Sequence, residues 1–468
     1  MIANLRRLTA LFIVGFAIIS LAVAYWSVVR SDGLLARDDN PRRVDAELAI
    51  ARGQIMDRRG TSLARSVPDE DGVLARDYPY PNVAPVVGYY SLRYGVGGVE
   101  AAYDDVLRGE ASSILPPAQV VTNRWLHRDP VGGDVRLTID LEMQQAAGAA
   151  LAGERGAVVL VEVPSGEVLA LASSPTYDPN QLDEEWDALR ENDAAPLVNR
   201  VTQGLYAPGA ALQTVLLGAG LNAGVVELEQ VFEDAEALAV EVDGVAVRCG
   251  AMPTDAVWTL LDAYRWACAS PFETVGYALG QERVEGALTD FGLGVTPALG
   301  LPPELVADVQ PPAEANLSEL ALGQGDLVVT PLQMALVAAA VANHGEAPAL
   351  RLVDAVRPPG GEWEAVPGEG HPRAAISRAS ADAVADAMRQ AVRSGAASEA
   401  AQPDVPVSGH AGLAVAAADG TLNAWFIGFA PAEEGHYLAI AVLVEDAEDA
   451  GDAARVGGEV LGAAVMAS

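Results

Sequence analysis

The 468-residue chain contains no lysine, only five histidines and only two cysteines. All 29 of its basic residues are therefore arginines, and 64 acidic residues bring the net charge to −35. This acidic excess argues against nucleic-acid binding, because it would repel phosphates, and it is typical of a well-solvated surface. The histidines lack the spacing of metal ligands, so neither a metal site nor a cofactor is predicted; they are His127, His344, His371, His410 and His436.

The two cysteines are Cys249 and Cys268. In an exported protein, a cysteine pair more often forms a disulfide than two free thiols. We therefore predict a disulfide between them, although the sequence does not fix their distance in space. A catalytic thiol at Cys268 is the alternative interpretation.

Long apolar runs are confined to the N-terminus, where residues 8–29 carry no charge. At about 1.5 Å per residue, this run is long enough to span a bilayer as a helix. Arg6 and Arg7 precede it and predict a cytoplasmic N-terminus with the bulk of the chain extracytoplasmic. The Ala-Val-Ala at residues 22–24 resembles a signal-peptide cleavage site. The run is longer than a usual signal core, which favours an uncleaved single-pass anchor.

The remaining chain is half apolar and long enough for two domains. The segment ARGQIMDRRGTSLARS, from residue 51, predicts a strand–turn–strand, and DPVGGD at residues 129–134 indicates a boundary. We predict a cytoplasmic tip and transmembrane helix at 1–30, a β-rich N-terminal region at 31–133 and a main domain at 134–468.

The main domain begins and ends with strand patterns. GAVVLVEVPSGEVLALASS predicts a hairpin near residue 165, preceded by a helix with Asp140 as its N-cap. LNAWFIGFAP and YLAIAVLVED predict two strands near the C-terminus, followed by a final helix. Helices are predicted between them, at 212–221, 258–268, 275–291 and 332–343. This order predicts an α/β (α+β) fold with one antiparallel sheet built from both ends of the domain.

Five segments, in order and at matching spacing, resemble the class B penicillin-binding proteins, the D,D-transpeptidases that cross-link peptidoglycan. They are RGQIMDRRG (52–60), LTID (137–140) with Gln144 after it, GEVLALASSPTYDPN (166–180), GQGDLVVTPLQMA (323–335) and AWFIGFAP (424–431). The resemblance implies a dimerisation-like N-terminal region. It also implies a penicillin-binding-protein/β-lactamase-like transpeptidase domain, with about five antiparallel strands between helices.

Three short motifs carry the reaction in that family. An S-x-x-K motif at a helix start supplies the nucleophilic serine and a lysine on the same helix face. An S-x-N motif relays a proton and orients the substrate. A K-T-G motif on a neighbouring strand binds the substrate carboxylate beside the oxyanion hole.

All three motifs are degenerate here. YAPGAALQ (206–213) has Ala210 at the serine position and Gln213 at the lysine position. ACASPF (267–272) has Ala267 and Ala269 at the S-x-N positions. In VSGHAGLA (407–414) the K-T-G positions hold His410, Ala411 and a retained Gly412. A compositional bias against lysine does not explain these changes. Such a bias would have placed arginine at the two lysine positions, and it does not account for the lost serines and asparagine.

Alanine offers neither a nucleophile nor a proton relay, so we predict a catalytically inactive transpeptidase homologue that acts as a scaffold or regulatory partner in cell-wall synthesis. The resemblance implies a SEDS-type glycan polymerase as partner. One alternative is a module that binds peptidoglycan stem peptides without reaction, through His410 and Gln213. The other is a divergent acyltransferase with an unrecognised nucleophile.

Three hydroxyl side chains bear on that last alternative. Ser408 and His410 share a strand face and could form a dyad. Thr214 is turned about 100° around the helix from Gln213. Ser270 is predicted to cap the helix that follows it.

Overall fold

A computed structural model describes residues 2–26, 50–69, 72–109, 131–232, 240–242, 244–247, 249–250, 258–310, 316–417, 419–433 and 435–467. The predicted N-terminal region at 31–133 therefore lies partly outside the described residues, as does the start of the predicted boundary at 129–134. The proposed division at residues 30 and 133 stays a prediction.

The helices are numbered in chain order. They are α1 Ile2–Ala24, α2 Ala84–Val87, α3 Gly98–Ala102, α4 Asp104–Leu107, α5 Leu141–Ala150, α6 Leu182–Glu191, α7 Gln213–Ala223, α8 Leu260–Arg265, α9 Ala269–Leu279, α10 Gln281–Asp290, α11 Leu317–Leu322, α12 Pro331–Ala342, α13 Arg378–Ser394 and α14 Gly451–Ala467. Short 3₁₀ segments also occur, at Pro81–Val83, Pro179–Gln181, Gly209–Leu212, Pro303–Leu305 and Ser398–Ala400.

The strands, numbered in the same way, range from two to ten residues. They are β1 Ile55–Met56, β2 Ser62–Pro68, β3 Leu74–Asp77, β4 Tyr90–Ser91, β5 Gly95–Val96, β6 Asp134–Leu137, β7 Gly156–Val163, β8 Val168–Ser174, β9 Val231–Phe232, β10 Val240–Val242, β11 Val245–Val247, β12 Trp258–Thr259, β13 Glu346–Ala347, β14 Val353–Arg357, β15 Glu364–Ala365, β16 Arg373–Ala374, β17 Ser408–Val415, β18 Leu422–Pro431 and β19 Tyr437–Val444.

The main sheet has the order β17–β18–β19–β7–β8 and is antiparallel throughout its described strands. The last three strands of the chain thus pair with the β7–β8 hairpin. This confirms the predicted sheet of about five strands built from both ends of the domain. Strand β17 lies at one edge, and the 3₁₀ segment Gly209–Leu212 packs against it.

Helices cover both faces of this sheet. Alternate residues of β7 point to opposite sides: Val159 and Val161 join the core beneath α12, whereas Val158 and Leu160 join the core beneath α5 and α14. Because both faces are buried, the strands read as nearly continuous apolar runs in the sequence.

A second sheet, of order β15–β14–β6–β1–β2–β3, forms the N-terminal part. Strands β1 and β2 are antiparallel and flank the Asp-Arg-Arg-Gly turn, as predicted. Strand β6 runs parallel to β1, and β14 pairs with β6 on its other side. Residues 353–357 therefore complete a sheet that begins near residue 55.

A buried ionic cluster fixes the N-terminal part. Glu100 is fully buried and accepts from Arg52 Nη2 at 2.8 Å and from Arg76 Nε at 2.6 Å. Arg52 also contacts Asp104 Oδ1 at 2.6 Å. A buried carboxylate with two guanidinium partners holds β3, α3 and the segment before β1 in one arrangement.

Two predicted helices were wrong in their extent. The single helix at 275–291 is divided into α9 and α10 by Gly280, whose φ of +77° ends the first helix. The helix at 258–268 is limited to α8, because the chain turns at Ala267 with a φ of +54°. The predicted N-cap was right: the Asp140 side chain accepts from the Glu142 and Met143 amides.

Helix α1 is the one helix in the described residues that is long and apolar enough to cross a membrane. Its 23 residues span about 35 Å at 1.5 Å per residue, and its described side chains are mostly exposed. This length and composition suit a membrane anchor, and they suit an N-terminal signal sequence equally.

Candidate active site

The segment ahead of helix α7 is held against the edge strand β17 by close backbone contacts. Gly209 has a φ of +52°, and a Cβ there would come within 2.4 Å of the Leu413 main-chain oxygen. Its amide donates to the Gly323 oxygen at 2.8 Å. Only glycine satisfies both the backbone conformation and the approach, which explains why Pro-Gly precedes this helix.

Two aromatic side chains fix the same segment from behind. The Tyr206 hydroxyl donates to Glu445 Oε1 at 2.8 Å, and Arg200 Nε contacts the same oxygen at 2.8 Å. The Trp425 indole donates to the Ala207 oxygen at 3.0 Å. Burial and the negative charge of Glu445 raise the pKa of Tyr206, so its hydroxyl stays protonated and serves as a structural donor.

Ala210 lies buried where this segment meets β17. A Cβ built on Gly412 would be 2.4 Å from the Ala210 Cβ, so the strand glycine allows the two elements to touch. Ala411, the neighbouring strand residue, is fully buried in the core that α13 and α14 share. The retained Gly412 is therefore explained by packing alone.

Gln213 begins α7 and is buried. Its Nε2 donates to the Cys268 main-chain oxygen at 3.1 Å, whereas its Oε1 has no hydrogen-bond partner in the part of the chain that the structure describes. A neutral amide neither carries the charge of a lysine nor accepts a proton near neutral pH. This position therefore links the start of α7 to the N-cap of α9.

The second motif forms the turn between α8 and α9. Ala267 has the left-handed backbone noted above, and Ala269 is the first residue of α9. Between them, Cys268 is bonded to Cys249 in a disulfide, with a Cα–Cα distance of 4.1 Å. Cys268 is also the N-cap of α9, so the prediction that Ser270 caps this helix was wrong.

His410 is fully buried in β17. Its Nε2 lies 3.1 Å from the Ala210 main-chain oxygen, and its ring stacks on Tyr264 with centroids 4.2 Å apart. Burial lowers the pKa of His410 to about 4, so the ring is neutral near pH 7. Because a carbonyl only accepts, Nε2 carries the hydrogen, and the lone pair is on Nδ1.

This geometry gives no support to the hydroxyl groups as nucleophiles. Neither ring nitrogen of His410 bonds Ser408: Nε2 faces Ala210, and Nδ1 has no partner within the described ranges. The Thr214 hydroxyl is paired with the hydroxyl of Tyr264 at 2.9 Å. Burial also raises the pKa of Tyr264, so its phenol is not a base.

The hairpin β10–β11 packs over a groove beside these positions, which is formed by Ala210, Gln213, Ala269 and Leu413. Val242 packs with Ala269, Leu322 and Val415 in a small apolar cluster. The space left is about 10 Å³, close to the minimum for one water molecule; it is lined by Ala210, Gln213, Val242, Val247, Ala269, Ala321, Leu322, Gln324 and Leu413. The sequence interpretation missed this hairpin, although the alternation in residues 240–247 could have indicated it.

Comparison with known proteins decides the family. The model of the penicillin-binding protein transpeptidase domain matches residues 156–464, and that of the penicillin-binding protein A dimerisation domain matches residues 52–135. The chain belongs to the class B penicillin-binding proteins. It is 32% identical to the peptidoglycan D,D-transpeptidase PbpA of Mycolicibacterium smegmatis, over 95% of this chain and 94% of that relative.

Solved structures of class B penicillin-binding proteins agree. Penicillin-binding protein A of M. tuberculosis, as an imipenem acyl-enzyme complex, is 31% identical with a TM-score of 0.78, covering 89% of this chain and 99% of the other. The D,D-transpeptidase domain of a peptidoglycan glycosyltransferase from Eggerthella lenta is 30% identical with a TM-score of 0.76, covering 89% and 98%. The family and fold predicted from the five motifs are confirmed.

In this class B penicillin-binding protein, the structure brings the three degenerate motifs together. His410 reaches the main chain of Ala210, and Gln213 reaches the main chain of Cys268, between Ala267 and Ala269. The three motifs therefore lie next to one another. The side chains of His410 and Gln213 each contact a main-chain oxygen of another motif. Among the described residues, no group of three or more His, Cys, Asp or Glu is placed to hold a metal ion.

Proposed function

We propose that this penicillin-binding protein takes part in peptidoglycan synthesis without forming an acyl-enzyme, as a scaffold or regulatory component. The observation that carries the proposal is Ala210, a methyl group at the nucleophile position of the family motif. Three further features support it: the amide of Gln213, the neutral ring of His410 and the apolar cover over the groove. Without a nucleophile, neither a β-lactam nor a stem peptide becomes esterified.

We further propose that α1 is an uncleaved single-pass anchor, with the N-terminus in the cytoplasm and the rest of the chain outside. Its length supports the span, and the preceding Arg6 and Arg7 support the orientation. The disulfide supports an oxidising compartment for the body of the chain.

The proposed partner is a cell-wall synthesis protein, by family resemblance a SEDS-type glycan polymerase. The match of residues 52–135 to a penicillin-binding protein dimerisation domain supports a role in protein contacts. In this arrangement, an active relative performs the cross-linking, and this chain supplies binding surface.

Fluorescent β-lactam labelling tests the catalytic part of the proposal. Membranes that contain the full chain are labelled beside membranes that contain M. tuberculosis penicillin-binding protein A, for which acyl-enzyme structures exist. We expect a boiling-resistant band from that protein and none from this chain. A covalent band from this chain would establish an acylating residue.

Complementation tests the scaffold part. A deletion strain receives the full chain, or a chain whose residues 2–26 are replaced by an unrelated transmembrane helix. We expect the full chain to restore cell shape and wall growth. Restoration by an acylating paralogue alone, or no effect of the deletion, would contradict a scaffold role.

Stem-peptide binding without reaction is the second candidate, favoured by Gln213 Oε1 and His410 Nδ1, two acceptors without a hydrogen-bond partner among the described residues. The space of about 10 Å³ opposes it, because a peptide does not fit there. Binding of purified muropeptides that is lost on replacing both residues with alanine would favour this function over the scaffold.

A further inference from the structure

The hairpin β10–β11 lies beside the free edge of the main sheet. Among the described strands, β17 pairs only with β18, and β11 also contacts it. An edge strand with open amides and carbonyls is a place where another chain can pair, unless something covers it. Here a hairpin of the same chain packs at this strand, with Val242 against Val415.

The hairpin has one apolar side and one exposed side. Val242 is buried against Ala269, Leu322 and Val415, and Val247 lines the small space beside Ala210. Glu241 and Ala246, at alternate positions, are exposed. This alternation is that of a strand pair with a single buried face, directed into the groove.

The disulfide connects this hairpin to the floor of the groove. Cys249 is two residues beyond the end of β11, and Cys268 is buried between two positions of the second motif. The Cys268 oxygen also accepts from Gln213 Nε2. One covalent bond thus joins the hairpin to the turn before α9 and, through Gln213, to the start of α7.

We propose that the β10–β11 hairpin is an intramolecular occupant of the groove beside β17, held there by the Cys249–Cys268 disulfide, and that reduction of this bond uncovers the groove. Cys268 is fully buried and Cys249 is partly exposed, so a thiolate reaches the Cys249 sulfur first. A dithiol reductant supplies two electrons and two protons. The protein bond becomes two thiols, and the dithiol becomes its own disulfide.

The first test measures access to the groove in the oxidised full chain. A cysteine is introduced at the motif position as Ala210→Cys, and its reaction rate with a maleimide is measured. Adding Val242→Asp places a charge on the buried side of the hairpin, whereas adding Ala246→Asp places the same charge on the exposed side. We expect Val242→Asp to accelerate labelling roughly tenfold or more and Ala246→Asp to leave it unchanged.

The second test uses the natural chain and follows hydrogen exchange of β17 with and without a dithiol. We expect reduction to speed the exchange of residues 408–415 roughly tenfold or more, with residues 437–444 in the sheet interior unchanged. Circular dichroism verifies that each sample is folded.

Fast labelling of Ala210→Cys without a hairpin substitution would show that the hairpin does not cover the groove, and unchanged exchange on reduction would show that the disulfide does not hold it. Neither test measures acylation, so their failure is distinct from failure of the proposed function.

Discussion

The Nε2 atom of His410 lies 3.1 Å from the main-chain oxygen of Ala210. This contact joins the strand motif to the helix-start motif from within the protein, at positions where the family places substrate-binding and nucleophilic groups. The neutral His410 ring donates its one N–H to a backbone carbonyl, so this side chain places no charge in the groove. At these two positions the strand and the helix start are therefore packed against each other.

The buried ring of His410 makes stability depend on pH. Its pKa in the folded chain is about 4, below the ordinary value of 6.5, because burial disfavours the charged form. Between pH 6.5 and 4 the unfolded chain binds a proton that the folded chain does not. Stability should therefore fall as pH falls through this window, by about 3 kcal/mol in total, and be unaffected by this group above it.

Urea unfolding of the full chain in detergent, from pH 8 to 4, measures this effect. We expect His410→Gln to flatten the decline, because glutamine keeps a donor for Ala210 but does not titrate. His371→Gln, on an exposed histidine, controls for removal of a histidine. Equal slopes for His410→Gln and the unsubstituted chain would contradict a neutral buried ring.

Gly412→Ala should destabilise the fold by roughly 1–3 kcal/mol, because its new methyl would lie 2.4 Å from the Ala210 Cβ. Adding Ala210→Gly should recover most of the loss, since it removes the clashing partner. Gly286→Ala in α10 is the control: no described residue lies within 4 Å of its Cβ position, so a gain of about 0.5–1 kcal/mol is expected. Thermal unfolding of the unsubstituted chain, Gly412→Ala, Ala210→Gly and the double variant gives a double-mutant cycle. Additive changes in the free energy of unfolding would contradict direct contact between the two residues.

Glu100→Gln should lower the free energy of unfolding by about 3–5 kcal/mol, because it leaves Arg52 and Arg76 buried without their shared counter-ion. The matched control is Asp77→Asn, which removes an exposed pair with Arg65 and should cost less than about 1 kcal/mol. Similar losses for both variants would mean that the buried cluster does not fix the N-terminal part.

Restoring the first motif alone should not restore chemistry. We expect Ala210→Ser with Gln213→Lys to remain unlabelled by a fluorescent β-lactam, because Ala267, Ala269 and His410 still lack the relay and the strand lysine. The hairpin also still covers the groove. Circular dichroism confirms that the variant is folded, and a covalent band from it would show that two residues suffice.

The sequence predicted the main sheet well because its strands are buried on both faces and appear as apolar runs, as in β7 and β19. The positions of the site residues stay a prediction, which depends on the register that the local motifs give. The helix division at Gly280 was missed, since a lone glycine inside a helical pattern can also be tolerated. The φ that ends the helix is evident only in the structure.

The closed groove was beyond sequence reasoning for a different reason. Val242 and Val415 are far apart in the chain, and only the fold brings them together. The orientation of His410 is likewise tertiary, because the strand pattern indicates only that Ser408 shares its face, whereas the fold places the Ala210 oxygen against the ring. The pairing of Cys249 with Cys268 was predicted from compartment, whereas its place beside Gln213 was not.

Intact-protein mass spectrometry tests the central claim most directly. The purified chain is incubated with excess penicillin G and, separately, with a stem peptide ending in D-Ala-D-Ala, beside M. tuberculosis penicillin-binding protein A as the reacting control. We predict that the mass of this chain stays unchanged with both compounds. A mass increase equal to an attached penicilloyl group or peptide ester, mapped to a groove residue, would contradict the account.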